Sequence, residues 1–591
     1  MAEKRYRTSF TLVDLSSWLI EDIALWSDEN AKQAVARIGG FDAGTFQLLT
    51  ARKEEGKEEE GEEFEGDGAG AHSRQVLYIN RSIEQEQRHE SKFMKAVKWT
   101  AKTVFGYSGH SYTDERGWFV PPGFVPLLGH LPYITYDFVT SIHAFTMRHG
   151  PHYKLLTASK EYAMTLVNEP VAAESILKET QYFSKVVIPG VDVNGELFHI
   201  GRSGVFTTNT GDEVWKLGHK ILRPAFTLAR MKSYIPAMGS ETRRMCNTFD
   251  SMLAKSNEVI DGQKVYTFEA KFWMTRLAFQ IVATTMFSYD LQILDDPAST
   301  HVFIDAMTFC LNESLRRLTR PKMLKKLAFS ANKKFFGGIS LMQNTVKEVL
   351  SERKKMIENK EEVPDDLLSF MLTAEDDNGQ KLSETNMIDQ VVTFMIAGHD
   401  TTANALCWTL YEIWKHPEVE KKVVDELFEV VGDDLDRLPT PDELQRMDYL
   451  TKVLKEVLRL HPPVGVLSKR CLKETEIDGK TFKKGEYTLV SVYSIHRDEK
   501  HWGKDPEKFD PERFDGSQSR HRFAWIPFSY GPRGCIGLQF AMVEARSVLA
   551  MMLRRYRVAL HPQQDTVRYK PIAITMQPEA LQLYVCERQR K

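Results

Sequence analysis

One stretch near the C-terminal end combines residue types that hold a metal or act as a nucleophile: "FSYGPRGCIG", Phe528 to Gly537. Its single thiol, Cys535, stands directly before an amphipathic run, "LQFAMVEARSVLAMMLRRY". The thiolate, not the thiol, is the nucleophile or metal ligand, and a free cysteine has a pKa of about 8.5. Unpaired N–H groups at a helix start favour negative charge, so the position predicts a lowered pKa. Gly531, Gly534 and Gly537 have no Cβ, which lets backbone N–H groups approach the sulfur and lets a flat group approach the loop. Arg533, two residues from the cysteine, can pair with an anion. A soft anionic ligand, a bare loop and a guanidinium together suit a haem with an axial cysteine. The pattern FxxGxRxCxG, opened by Phe528, fixes five positions, and chance matches in a chain this long number on the order of 10⁻⁴.

A second constellation lies in "VTFMIAGHDTTANALCWTL", Val392 to Leu410. Apolar residues at helical spacing surround a polar knot that holds Gly398, His399, Asp400 and Thr401. A mid-helix glycine costs about 1 kcal/mol against alanine, so it needs a reason, and room for a small molecule is one. A threonine hydroxyl can bond to the carbonyl four residues earlier and bend the helix, opening a slot for dioxygen. Asp400 and Thr401 then form a proton route to that slot. Two weaker motifs complete the set. Glu456 and Arg459 are three apart in "LKEVLRLHPP" and share a helix face. Trp215 and His219 are four apart in "WKLGHKILRPAF" and do the same.

Together these motifs, with "HRDEKHWGKDPEKFDPERF" between the Glu/Arg pair and the cysteine loop, resemble the cytochrome P-450 family from about Gly117 to Lys591. The resemblance implies a mainly α fold, one large helical domain with small β-sheets. It implies haem b (iron protoporphyrin IX) with Cys535 as the axial ligand to iron and Phe528, Gly531 and Gly537 lining the cofactor. Glu456, Arg459 and Arg513 would form a buried charge network. Trp215, His219, Arg470 and Arg533 would face the haem propionates, with His219 at a position where most members carry arginine. The implied reaction is monooxygenation, with Gly398, Asp400 and Thr401 as the catalytic group. An isomerase acting on peroxides or a non-catalytic haem sensor is the other reading of the fold, and the intact Asp400–Thr401 pair argues against both.

The nearest look is to the fatty-acid hydroxylase branch, which implies a fatty acid or related lipid as substrate. Phe206 falls where those enzymes place an aromatic over the haem, and Lys160 where they place a cation at the channel mouth. A tyrosine of that pattern is Met164 here. Sterols, terpenoids and xenobiotics are the alternative substrates. No reductase sequence follows Cys535, so electrons are expected from a separate NADPH-cytochrome reductase type of partner, with or without a small electron carrier.

The elements that position these residues occupy residues 116–591. A net charge of −3 in 591 residues gives no reason to expect a nucleic-acid partner. Six scattered cysteines without a CxxC pair give no reason to expect a zinc site or a disulfide framework and point to a reducing compartment. Residues 1–115 read as an extension. Its acidic run, about 51–75, is too poor in apolar residues to order itself. Its basic amphipathic stretch, 91–106, suits a membrane interface. No transmembrane run or signal peptide is legible. The expected location is therefore the cytoplasmic side, peripherally membrane-associated, at the endoplasmic reticulum if the chain is eukaryotic.

Overall fold

The computed structural model describes residues 111–114, 116–121, 137–156, 163–179, 181–187, 193–320, 329–571 and 573–589. They belong to a compact unit that runs from His110 to Lys591. Lys160, the acidic run 51–75, the basic stretch 91–106 and most of the proline-rich segment lie outside the described residues.

The helices used below are α1 (Pro170–Leu177), α2 (Glu213–Leu222), α3 (Leu228–Lys255), α4 (Ala270–Phe287), α5 (Glu384–Lys415), α6 (Asp448–Leu460) and α7 (Leu538–Arg555). The strands are β1 (His152–Leu155), β2 (Met164–Val167), β3 (Phe183–Ser184), β4 (Tyr266–Glu269), β5 (Val466–Cys471), β6 (Thr475–Ile477), β7 (Lys480–Phe482), β8 (Tyr487–Ser491), β9 (Tyr556–Leu560) and β10 (Gln582–Glu587).

Helix α5 starts where the Ser383 side chain accepts from the Asn386 N–H, satisfying one otherwise orphaned donor. It buries residues on every side between Val391 and Met395 and again from Thr402 to Leu410, the mark of a helix inside a core rather than on it. Helix α4 lies against α5 and is apolar nearly all round, including Leu277, Phe279, Ile281 and Val282. Helix α6 stops at Leu460, before Pro462 and Pro463, which cannot continue a helix. Helix α7 packs on α3 and α5, so the element that follows the cysteine loop is anchored in the same core.

The β structure is peripheral. A five-stranded sheet has the order β1-β2-β8-β5-β3, in which only β2 and β8 run parallel. A three-stranded antiparallel sheet has the order β9-β10-β4. Strands β6 and β7 form a separate hairpin. This is the large helical domain with small sheets that the sequence motifs imply. Among the described residues, no helix is long and apolar enough to cross a membrane.

Candidate active site

The cysteine loop is built by close backbone approaches. Ser529 and Gly531 take positive φ, 58° and 74°. A Cβ on Gly531 would stand 2.4 Å from the Leu177 carbonyl oxygen at the end of α1, so no other residue fits there without movement. The Cys535 N–H donates to the Phe528 carbonyl at 2.8 Å, closing the loop on its first residue. Gly537 is the N-cap of α7, and the nearest atom to a Cβ built on it would be the Cys535 sulfur at 3.9 Å. Of the six cysteines, Cys535 alone is accessible. Its side chain is accessible, yet protein atoms crowd the sulfur. Burial pushes its pKa up, against a hydrogen bond from the Gly537 backbone. The sequence predicted a lowered value from the helix start. Cys535 lies two residues outside the N-cap, where desolvation outweighs the dipole, so a bound cation would be needed to hold the thiolate.

Around the loop the structure gathers cations. Arg533 donates from Nη2 to the Phe206 carbonyl at 3.1 Å and lies over the Trp215 ring, 5.0 Å from its centre. Trp215 in turn stacks on His219, 4.8 Å between ring centres. Burial lowers the Arg533 pKa to about 10 and also lowers that of His219, whose neighbours Arg223 and Arg533 add to the effect. Arg470 on β5 donates to the Gly485 carbonyl at 2.9 Å and lies over the Tyr487 ring, with no contact to the loop among the described residues. Two guanidinium nitrogens, Arg470 Nε and Arg533 Nη1, are buried without a protein partner. Buried donors of this kind call for an acceptor. An accessible sulfur on a bare loop and a buried guanidinium nitrogen without an acceptor are what a flat, iron-holding group with anionic arms requires, so the residues fit a haem. Phe206 is 42% exposed and carries Lys185 Nζ over its ring at 3.9 Å, so it belongs to this cationic cluster. Met164, at the position of the missing tyrosine, is buried in the five-stranded sheet.

Helix α5 carries the second group. Thr401 donates from Oγ1 to the Ala397 carbonyl at 2.9 Å, the back-bond expected of it. Ala397 is exposed within a helix that is otherwise largely buried. The helix is continuous through Gly398, and a Cβ on Gly398 would stand 2.7 Å from Val282 Cγ2 of α4. The expected room for a small molecule at Gly398 is therefore filled by Val282, and the glycine serves the close packing of α4 on α5. Asp400 is engaged as well. Lys271 Nζ donates to its Oδ1 at 2.6 Å, and the Thr575 hydroxyl donates to Oδ2. Desolvation alone would raise this carboxyl. Lys271, with the Thr575 hydroxyl, overcomes it and holds the pKa at about 2. His399 faces the other way, stacked on Phe279 with 3.8 Å between ring centres, and burial keeps it neutral.

Glu456, Arg459 and Arg513 come together as the motifs imply. Arg459 donates to both Glu456 carboxylate oxygens at 2.7 Å, and neither side chain has any exposure. Arg513 Nε lies 3.5 Å from Glu456 Oε1, which also accepts from the Asp510 N–H at 2.9 Å. Sequence reasoning missed the link from this network to the cysteine loop. His496 Nδ1 lies 3.0 Å from the Arg459 carbonyl, and its Nε2 accepts from the Ile526 N–H at 2.9 Å. Nδ1 therefore carries the proton, and burial lowers the ring's pKa to about 3. The only sequence signal was its place in "SIHRDEKHW". Lys271 and Glu544 were missed too. Glu544, on α7, is fully buried beside Thr402, and burial raises its pKa well above the usual carboxylate range.

Fold, loop and helix agree with what comparison shows. Residues 120–585 match the family described as Cytochrome P450, and the chain belongs to that family. It is 32% identical over 435 residues to the "Bifunctional cytochrome P450/NADPH--P450 reductase" of Bacillus cereus, covering 73% of this chain and 39% of that protein. It is 27% identical over 471 residues to "Protein LUTEIN DEFICIENT 5, chloroplastic" of Arabidopsis thaliana, covering 76% of this chain and 74% of that one. The crystal structure of the cytochrome P450DA heme domain matches with a TM-score of 0.70 at 27% identity, covering 80% of this chain and 97% of that one. The chain thus spans less than half the length of the bifunctional relatives, 39% and 35% for the first two.

Proposed function

We propose that the chain is a haem-thiolate monooxygenase that inserts one atom of dioxygen into a C–H bond of a lipophilic substrate, with a fatty acid or related lipid as the favoured class. The observation that supports it most is the accessible Cys535 on a glycine-rich loop whose Arg533 keeps one buried nitrogen, Nη1, without a protein partner. When bound, the haem supplies the activation of dioxygen. Cys535 would hold its iron through the sulfur, and the iron would hold the thiolate against the desolvation that otherwise favours the thiol. Arg533 and Arg470 would take the propionates, with Trp215 and His219 orienting Arg533. Thr401 Oγ1 keeps its proton on the Ala397 carbonyl at rest and can turn it toward the accessible side of α5. Asp400 is ionised and held by Lys271 and Thr575, so it can accept a proton from that side when those bonds loosen and cannot supply one at neutral pH.

Electrons are proposed to come from an NADPH-dependent reductase, a reading supported by the bifunctional names of several relatives. The substrate class rests on the sequence resemblance to fatty-acid hydroxylases, with Lys160 as the proposed carboxylate contact. Membrane association through residues 91–106 is proposed on the basic amphipathic pattern alone.

Two measurements test the reading. The haem-loaded chain is expected to give a strongly red-shifted carbon-monoxide difference band, and a Cys535→Ser chain that keeps this band would refute the thiolate. A long-chain fatty acid is expected to shift the Soret band saturably, more weakly as its methyl ester. A shift with a sterol alone would leave the monooxygenase and remove the fatty acid.

A further inference from the structure

We propose a second metal site, for a divalent ion of the zinc class, formed by His152, Glu169 and Asp478 on the outer side of the five-stranded sheet. The three ligands come from separate elements. His152 opens β1, Glu169 is the N-cap position of α1, and Asp478 is in the turn between β6 and β7. Their ligand atoms all lie within 4.8 Å of one another.

The geometry argues for a metal over a plain ion pair. Both carboxylates converge on one atom: Glu169 Oε2 and Asp478 Oδ2 each lie 3.2 Å from His152 Nε2. A single N–H can point at only one of them. The His152–Glu169 contact is a hydrogen bond at the long end of the usual range. Zn–N and Zn–O bonds of about 2.0–2.2 Å place neighbouring ligands of a tetrahedron about 3.4 Å apart, close to the two His152–carboxylate distances of 3.2 Å. Among the ion pairs of the described residues, His152 is the partner of both carboxylates and neither has a lysine or arginine.

The positions are fixed by the backbone. His152 is paired in the ladder opposite Val167, two residues before Glu169. Asp478 and Gly479 both take positive φ, 52° and 69°, which is the tight hairpin turn that Asp-Gly favours. The His152 ring is only 10% exposed, whereas Asp478 is 61% exposed, so one open coordination position faces water. An imidazole with two carboxylates is a donor set that suits zinc. Bound there, the ion ties the β6–β7 hairpin to the start of β1 and to α1, and it acts as a clasp on this edge of the molecule.

The test is zinc binding to the full, metal-stripped chain, read by competition with a chromophoric chelator. It is repeated in Cys535→Ser, because an accessible thiol binds zinc by itself. One equivalent is expected that survives Cys535→Ser and the distant control Asp442→Asn and is lost in both His152→Ala and Asp478→Asn. Cobalt in place of zinc is expected to give d–d absorption bands that His152→Ala abolishes. Zinc is expected to raise the unfolding midpoint of the parent chain and leave that of Asp478→Asn unchanged; Asp478 is exposed, so this variant folds. Equal zinc stoichiometry in the parent and His152→Ala chains, or no bound equivalent in Cys535→Ser, would overturn the site and show a hydrogen-bonded cluster only.

Discussion

Replacing Arg459 by methionine removes the hub of the buried network. Arg459 makes two bonds of 2.7 Å to Glu456 and donates to the carbonyls of His496, Pro506 and Lys508 at 2.9, 2.6 and 3.2 Å. Glu456 stays behind with no exposure, and Arg513 at 3.5 Å only partly answers its charge. Breaking one partner of a buried pair costs about 3–5 kcal/mol. For a cooperative unit from His110 to Lys591, an unfolding entropy of about 2.1 cal/mol/K per residue sums to about 1 kcal/mol/K, so the midpoint should fall by about 3–5 °C. Scanning calorimetry at a fixed scan rate reads this directly. Glu456→Leu alone should cost a similar amount, because it strands the Arg459 charge. The double variant should cost clearly less than the two losses added, since neither charge is then left alone. A midpoint within 1 °C of the parent for Arg459→Met, or strict additivity in the double variant, would refute the claim that the pair acts as one buried unit.

Gly398→Ala is expected to destabilise by about 1–3 kcal/mol through overpacking, because its Cβ meets Val282 at 2.7 Å. Adding Val282→Ala should restore the midpoint, whereas a loss of activity that Val282→Ala does not restore would return Gly398 to the catalytic group. Lys271→Met removes the cation that holds Asp400 at a pKa of about 2, below its ordinary 3.8. A depressed carboxylate contributes stability above its unfolded pKa and loses it as pH falls through the folded one. Holding this carboxyl at about 2 in place of 3.8 is worth about 2–3 kcal/mol. Without Lys271 burial raises the Asp400 carboxyl of the variant, so the gap in midpoint should be full at neutral pH, narrow as pH falls through that raised value and close toward pH 2. A gap that does not change with pH would show that the ion pair is not its source. Gly531→Ala should lose haem on gel filtration more readily than the parent, since the new Cβ meets the Leu177 carbonyl at 2.4 Å and the φ of 74° is strained for alanine. Unaltered haem retention would count against the loop's close fit on α1.

The local chemistry could be read without the fold because it lies in short spans. FxxGxRxCxG, the polar knot around Thr401 and the Glu456–Arg459 spacing each occupy one loop or one helical turn, where backbone geometry fixes which side chains are neighbours. The Thr401 back-bond, the Trp215–His219 stack and the Glu456–Arg459 fork are all contacts of this kind, three or four residues apart. Only tertiary structure decided the rest. The reason Gly398 is small lies on another helix, at Val282, and the partners of Asp400 are 129 and 175 residues away. His496 became the bridge from Arg459 to the cysteine loop because the fold brought together carbonyl and amide groups that carry no sequence label. The Cys535 thiol was raised where the helix start alone predicted lowering, because desolvation depends on every atom packed around the sulfur. A spacing rule tells which residues share a turn, whereas burial and long-range pairing are properties of the assembled core.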